Sequence, residues 1–299
     1  MCIWMRKKKW NKKETVIALL MLSPALLGLL VFAIIPIIMS FINSFYNYGF
    51  YQEPLFVGTR NYRLVLKDKF FWKSIRVGIR YTLIVVPILL VSSFLFANLI
   101  VKLKGRISGF IKTSIYVPTV ISGVIASMLF LFIYDYQAGL LNNILALFKI
   151  SPQAWFQNPK FALLSLAAPR IWLSFGYTTL FMLAGVLDIP QPYYEAAKLD
   201  GANAWQCMMK ITIPSMKNIF LFLLVSNVVS TMQEFDLPFN MTGGAPAGGT
   251  LTPSLFVYNH FVQDPTVGFS LAAAMLIALV LGTLSLGIFK TVNSEKIAG

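Results

Sequence analysis

Residues 194–214, YEAAKLDGANAWQCMMKITIP, form a polar, helix-prone island between long apolar runs, and the fold is decided by how they are read. Pro192 stands where a first helical turn tolerates a missing amide donor, and Glu195, Ala196, Ala197, Lys198 and Leu199 are good helix formers. Asp200 and Gly201 interrupt the run: glycine permits backbone angles that end a helix, and aspartate is suited to cap the next one. Helical propensity returns from Ala202 to Ile213 and stops at Pro214. The pattern predicts helix, sharp turn, helix. A membrane chain that keeps such a knob uses it to hold a soluble partner; an ordinary amphipathic cytoplasmic loop is the other reading the residues allow.

Composition supplies the membrane. With 299 residues, 57% of them hydrophobic, only 12% charged and a mean hydropathy of +0.71, the chain cannot hide its apolar surface in a soluble core. The 25 Lys and Arg against 11 Asp and Glu cluster at the ends of apolar runs, a pattern of membrane lipid contact and topology and not of nucleic-acid binding. Cys2 and Cys207 imply no disulfide and His260 is alone, so no metal site and no catalytic residues are expected.

Six stretches are long enough to cross about 30 Å of hydrocarbon as helices: Val16 to Ile38, Tyr81 to Val101, Ile115 to Tyr134, Phe161 to Leu187, Ile219 to Glu234 and Phe269 to Phe289. The Gly- and Pro-rich stretch from Phe235 to Thr252 predicts a loop that dips back toward the membrane. The first span follows Arg6 to Lys13 like a signal sequence, but its length and the lack of a cleavage site make it a retained anchor. With both termini in the cytoplasm, fifteen cations lie inside and nine outside, as the positive-inside rule favours. The expected organisation is a basic cytoplasmic N-terminus (1–14), a first transmembrane helix (15–45), an external segment (46–80), a core transmembrane domain (81–290) with its cytoplasmic loop at 190–217, and a cytoplasmic tail (291–299).

These residues carry a family signature. EAAKLDGA followed by ITIP resembles the EAA loop of permease subunits in ABC importers, and the chain resembles their maltose-type branch, which imports oligosaccharides and related polyols. FVGTRNY at Phe56 to Tyr62, the Ile189–Pro190 pair before the loop and MTGGAPAGGTLT at Met241 to Thr252 match in the same order. The resemblance implies an all-α fold, a type I importer transmembrane domain with six transmembrane helices in the bacterial cytoplasmic membrane. It implies a second homologous permease subunit, two ATPase subunits and an extracytoplasmic solute-binding protein as partners, and an oligosaccharide as cargo. Glu195, Ala196, Ala197, Asp200, Gly201 and Ala202 would dock in the ATPase, with Glu195 meeting a basic residue there and Gly201 forming the turn. Met208 departs from the family's usual Phe. GGAPAGGT lacks the Gly-Lys-Ser/Thr ending of a phosphate-binding loop, so no cofactor is expected in this chain, ATP and Mg belonging to the partner ATPase.

A polar stripe marks the cargo path. Arg170, Leu173, Ser174 and Tyr177 on one predicted span, and Asn227, Ser230, Thr231 and Glu234 on another, follow the i, i+3, i+4, i+7 spacing of one helix face. Polar groups inside a bilayer turn toward protein or water, so these faces are expected to line the path near mid-membrane, where the family's matching positions contact sugar. The same hydroxyls and amide are alternatively interhelical hydrogen bonds, and Arg170 with Glu234 a buried pair. Trp172 and Phe175 point off the stripe and are expected to pack. An Arg170 left free suits an acidic, uronic-acid-containing cargo, as do the cations from Arg60 to Arg80; a neutral oligosaccharide or a glycerol-phosphate-type polyol is the alternative. An ion-coupled secondary carrier is the rival from another class, but no inverted repeat is visible.

Overall fold

The computed structural model describes residues 12–49 and 52–293. The Arg6–Lys9 cluster, Cys2 and the tail from 294 onward lie outside the described residues. Among the described residues, five helices are long and apolar enough to cross a membrane, and a bent pair makes a sixth. The chain is a multi-pass helical membrane protein.

The first span, Thr15–Asn43, widens into a π turn at Leu30–Ile34, where the Ile35 amide reaches back to the Leu30 carbonyl. Pro36 follows within the next turn, and its missing N–H and bulky ring favour such a local widening. This helix stands largely apart from the rest of the chain and touches the last span near its end. Its end is tied down by the FVGTRNY segment. The Asn61 side-chain amide donates to the carbonyls of Ser44 (2.9 Å) and Tyr46 (3.0 Å), and the Ser44 and Tyr62 hydroxyls share a hydrogen bond of 2.7 Å. A two-stranded antiparallel hairpin, Tyr46–Gly49 with Gln52–Phe56, is the one sheet among the described residues of this all-α fold.

The second span, Lys69–Val101, begins well before the expected Tyr81. Asp68 starts it: one carboxylate oxygen accepts the amides of Phe70 (2.6 Å) and Phe71 (3.2 Å), satisfying donors a helix start leaves unpaired. Its 33 residues rise about 50 Å, more than the hydrocarbon thickness, and residues 69–80 of the expected external segment are helix. The expected span from Ile115 to Tyr134 is corrected into two limbs, Gly105–Val120 and Gly123–Ile133, meeting at 99°. Pro118 cannot donate a helix hydrogen bond, a 3₁₀ turn ends the first limb at Val120, and Ser122 caps the second by accepting the Ile125 amide at 3.3 Å.

Ala162–Leu187 and Lys217–Met232 follow, the latter continuing through the short helix Asp236–Met241 into what was expected to be loop. Pro253–Gln263 precedes the last span, Gly268–Asn293. Lys69–Val101 and Ala162–Leu187 form the most extensive helix pairing, clamped where Tyr81 donates its hydroxyl to the Leu166 carbonyl at 2.9 Å. Three apolar clusters run along the bundle. One gathers Phe71, Met232 and Phe256 toward the hairpin end, one Tyr81, Leu166 and Leu237, and one Phe94, Met182 and Leu223 toward the 190–217 loop.

Small residues set the closest approaches, as expected where lipid removes any hydrophobic drive between helices. A Cβ on Gly176 would lie 2.1 Å from the Ile115 carbonyl oxygen, a backbone atom, whereas one on Gly185 would meet the flexible tip of Ile219 at 2.3 Å. Gly176→Ala should therefore destabilise the bundle by about 1–3 kcal/mol, the usual range for overpacking, and Gly185→Ala by less. Melting temperatures of the two purified variants check this, and the reverse order would show that the Gly176 contact is not limiting.

Candidate functional site

The 190–217 loop is built as two limbs. Pro190 enters in extended conformation and Pro192 lies in the first turn of helix Gln191–Leu199. Gly201 ends that limb with φ +77°. At this angle the Gly201 amide donates to the Lys198 carbonyl (3.1 Å) and the Ala202 amide to the Ala197 carbonyl (2.9 Å), a closure that favours a residue without Cβ. Asp200 closes the first helix as its C-cap and does not cap the second. Asn203 does: its carboxamide oxygen accepts the Gln206 amide at 2.9 Å while the Gln206 side chain accepts the Asn203 amide at 2.8 Å, a reciprocal capping box. The second limb runs Ala204–Cys207, a π turn at Met208–Thr212, then Ile213–Ser215.

Of the expected docking residues, Glu195, Ala196, Asp200 and Gly201 are exposed, and Ala197 and Ala202 half-buried. Leu199 is 90% exposed at the tip, an apolar side chain offered to solvent beside acidic groups. The loop is not loosely hung. The Tyr194 and Thr212 hydroxyls bond across the two limbs at 2.9 Å. Tyr194, Met208, Ile211 and Ile213 pack onto the cluster of Phe94, Met182, Leu183, Met216 and Leu223.

The polar stripe faces a cavity of about 350 Å³ lined by Arg170, Leu173, Ser174, Tyr177, Asn227 and Ser230. Thr231 and Glu234 do not line it. Thr231 is fully buried, its hydroxyl without a hydrogen-bond partner. Glu234 is turned into the protein, where one carboxylate oxygen pairs with Arg170 Nη1 at 3.0 Å and the other accepts the Leu237 amide at 3.4 Å. Arg170 Nη2 also donates to Ser230 Oγ at 2.8 Å. The Asn227 amide donates to its own helix at the Leu223 carbonyl, 2.8 Å. The guanidinium is thus engaged with protein groups on two sides. Trp172 and Phe175 pack off the stripe, against Phe130 (5.6 Å) and Phe96 (5.4 Å).

Five lining residues were not anticipated from the stripe: Thr119, Ile121, Gly123, Ser226 and Asp236. The first two sit at the corner between the bent limbs, where Thr119 donates to the Leu173 carbonyl at 3.1 Å. The Pro118 to Gly123 break is the sequence signal that marks such a corner. Asp236 packs its carboxylate against Gly123, which has no side chain to exclude it. Ser226 and Ser230 also border a larger open groove of about 980 Å³ along Lys217–Met232 that reaches Phe222. The rings of Tyr177, Phe181 and Phe222 follow one another from the cavity toward the loop at 4.6 and 5.6 Å.

Residues 90–298, which hold both the loop and the stripe, match the family model described as binding-protein-dependent transport system inner membrane component. The chain belongs to that family. The trehalose/maltose transport system permease protein MalF of Thermococcus litoralis is 32% identical over 255 residues, 85% of this chain and 86% of that protein. The lactose transport system permease protein LacF of Rhizobium radiobacter is 31% identical over 281 residues, 93% of this chain and 94% of that one. In fold, the permease is similar to a chain of a bacterial ABC transporter involved in the import of the acidic polysaccharide alginate. That similarity has a TM-score of 0.79 at 20% identity and covers 94% of this chain and 96% of that chain.

In the permease, the ion pair is 16% exposed at Arg170 and 9% at Glu234. Removing one partner leaves a buried charge uncompensated. Glu234→Gln should cost about 3 kcal/mol, whereas Arg170→Met combined with Glu234→Leu should cost much less than the two single changes added. Thermal unfolding of the two singles and the double variant measures the coupling, and strictly additive losses would show that the pair contributes none.

Proposed function

We propose that this chain is a permease subunit of an ATP-driven, binding-protein-dependent importer that carries an oligosaccharide inward. One observation carries the reading. The helices that bear the stripe, Ala162–Leu187 and Lys217–Met232, also supply Met182, Leu183 and Leu223 to the cluster on which both limbs of the loop are packed. A displacement of the loop is therefore a displacement of the cavity walls, which is the two-state element that coupling between distant sites needs.

The partners follow from the same reading. Glu195 and the Asp200–Gly201 turn face an ATPase subunit, Leu199 inserts beside them, and two ATPase copies supply the hydrolysis of ATP. A second homologous permease completes the pathway, and a solute-binding protein delivers cargo from outside. The loop and both termini lie in the cytoplasm, the hairpin and the projecting start of Lys69–Val101 outside. No group in the cavity is needed for chemistry on the cargo.

Hydroxyls, an amide and the face of Tyr177 suit a pyranose, with its apolar face and its ring of hydroxyls. The names of MalF and LacF, trehalose/maltose and lactose permeases, support a sugar. The charge of the cavity favours a neutral one: Glu234 and Ser230 engage Arg170, and Asp236 adds an uncancelled carboxylate to the lining. An acidic, uronic-acid-containing oligosaccharide keeps support from the cations along Arg60 to Arg80.

Reconstitution of the importer with its binding protein in vesicles tests both levels. Gly201→Val places a β-branched residue at φ +77°, strained by about 1–3 kcal/mol, in space that is otherwise open. It and Glu195→Arg should each lower ATP-dependent uptake by about tenfold or more with reduced ATPase retention. Full uptake by both, or wild-type uptake driven by a proton or sodium gradient without ATP, would overturn the assignment. Neutral oligosaccharides should be carried faster than acidic ones, and the opposite preference would return the cargo to the acidic class.

A further inference from the structure

We propose that the second limb of the loop carries a binding site for an anionic phospholipid. A groove of about 590 Å³ runs between Lys69–Val101, the second limb and Lys217–Met232, and its lining is wholly apolar. Pro87, Leu90 and Phe94 form one wall, Trp205 and Met208 a second, Phe220 a third. The size is that of a small-molecule site. The chemistry excludes a sugar, which would leave its hydroxyls unpaired there.

Three features commit the groove to lipid. It extends from Val86 to Leu95, about 14 Å of helix rise, along a bilayer-spanning helix whose Val91, Leu95 and Leu99 are exposed. It is therefore continuous with an exposed apolar surface of this chain, of the kind that acyl chains cover. Trp205, 62% exposed, stands at its loop end, the position of an aromatic at a membrane–water boundary. Lys210, next in sequence to the lining residue Met209, is exposed and forms no ion pair among the described residues. It offers a cation to a phosphate head group where the loop leaves the bilayer. The π turn at Met208–Thr212 sets this arrangement, and the flexible methionines adapt to a chain of variable shape. A lipid seated here stiffens the limb that leans on the cavity helices and makes coupling depend on the anionic lipid content of the inner leaflet. The site stands whichever sugar the cavity takes.

The complete importer, in nanodiscs, is exposed to phosphatidylglycerol or phosphatidylcholine bearing a diazirine in the acyl chain, photolysed and mapped by mass spectrometry. Adducts are expected on 86–95 and 204–213, about fivefold more with the anionic lipid, the ratio equivalent to about 1 kcal/mol for one lysine at an anionic surface. Lys210→Gln should bring that ratio toward one without unfolding, and Leu90→Trp should fill the groove and remove both adducts. Equal labelling by the two head groups would overturn the anionic specificity. No labelling of either segment in an importer that still hydrolyses ATP would show that a protein chain covers the groove, and would overturn the proposal altogether.

Discussion

The bond between Arg170 and Glu234 is the constraint around which the centre of the bundle is arranged. A charge within a span is tolerated when protein supplies its partner, and here the partner stands just past the end of a different helix, Lys217–Met232, at 3.0 Å. The pair sets the register of Ala162–Leu187 against Lys217–Met232. It turns Glu234 away from the cavity and brings Ser230 onto the guanidinium. The same residue anchors the chain beyond it: the Thr252 hydroxyl donates to the Glu234 carbonyl at 2.7 Å, holding the end of the Gly-rich loop against the break after Met232. Cavity shape, helix register and loop anchorage thus share one cause.

On the proposed reading, transmission from the loop to this centre needs no special pathway of residues. Both limbs rest on side chains of the cavity helices, and close-packed interiors move by switching between packings and not by deforming smoothly. Tyr194 and Thr212 join the limbs, so a pull on the exposed first helix is felt by the second. An apolar groove borders that second limb, so on the proposed reading its occupant bears on the coupling.

Much of this was legible in the residues. Apolar runs too long for a soluble chain located the spans, and Asp200–Gly201 located the turn in the loop. The 3.6-residue period brought Arg170, Ser174 and Tyr177 to the same wall as Asn227 and Ser230. Local signals were misjudged where two were in competition. Asp200 and Asn203 both suit a helix start, and Asn203 prevails because Gln206 stands three residues on to complete the box. The amphipathic segment from Lys69 to Arg80 looked like an external loop because its charges obscured a helix that Asp68 caps and Phe71 and Ile75 bury. Hydropathy alone ran a straight span from Ile115 to Tyr134, because it does not register the break that Pro118 and Gly123 introduce.

The sequence by itself determined that this chain spans a membrane, that it keeps a helix–turn–helix knob between two spans, and that those spans each carry a polar face. These are properties of composition, period and local backbone preference, and each is written within a window of some twenty residues. Tertiary structure alone decided that the limbs of the third span meet at 99°, that their corner adds Thr119 to the cavity, that Thr231 and Glu234 are withdrawn from it, and that Asp236 enters it. Period places a residue on a face of its own helix. Which neighbour that face meets, and whether a charge finds its partner in protein or is left for cargo, depends on the rotation and distance of helices far apart in the chain.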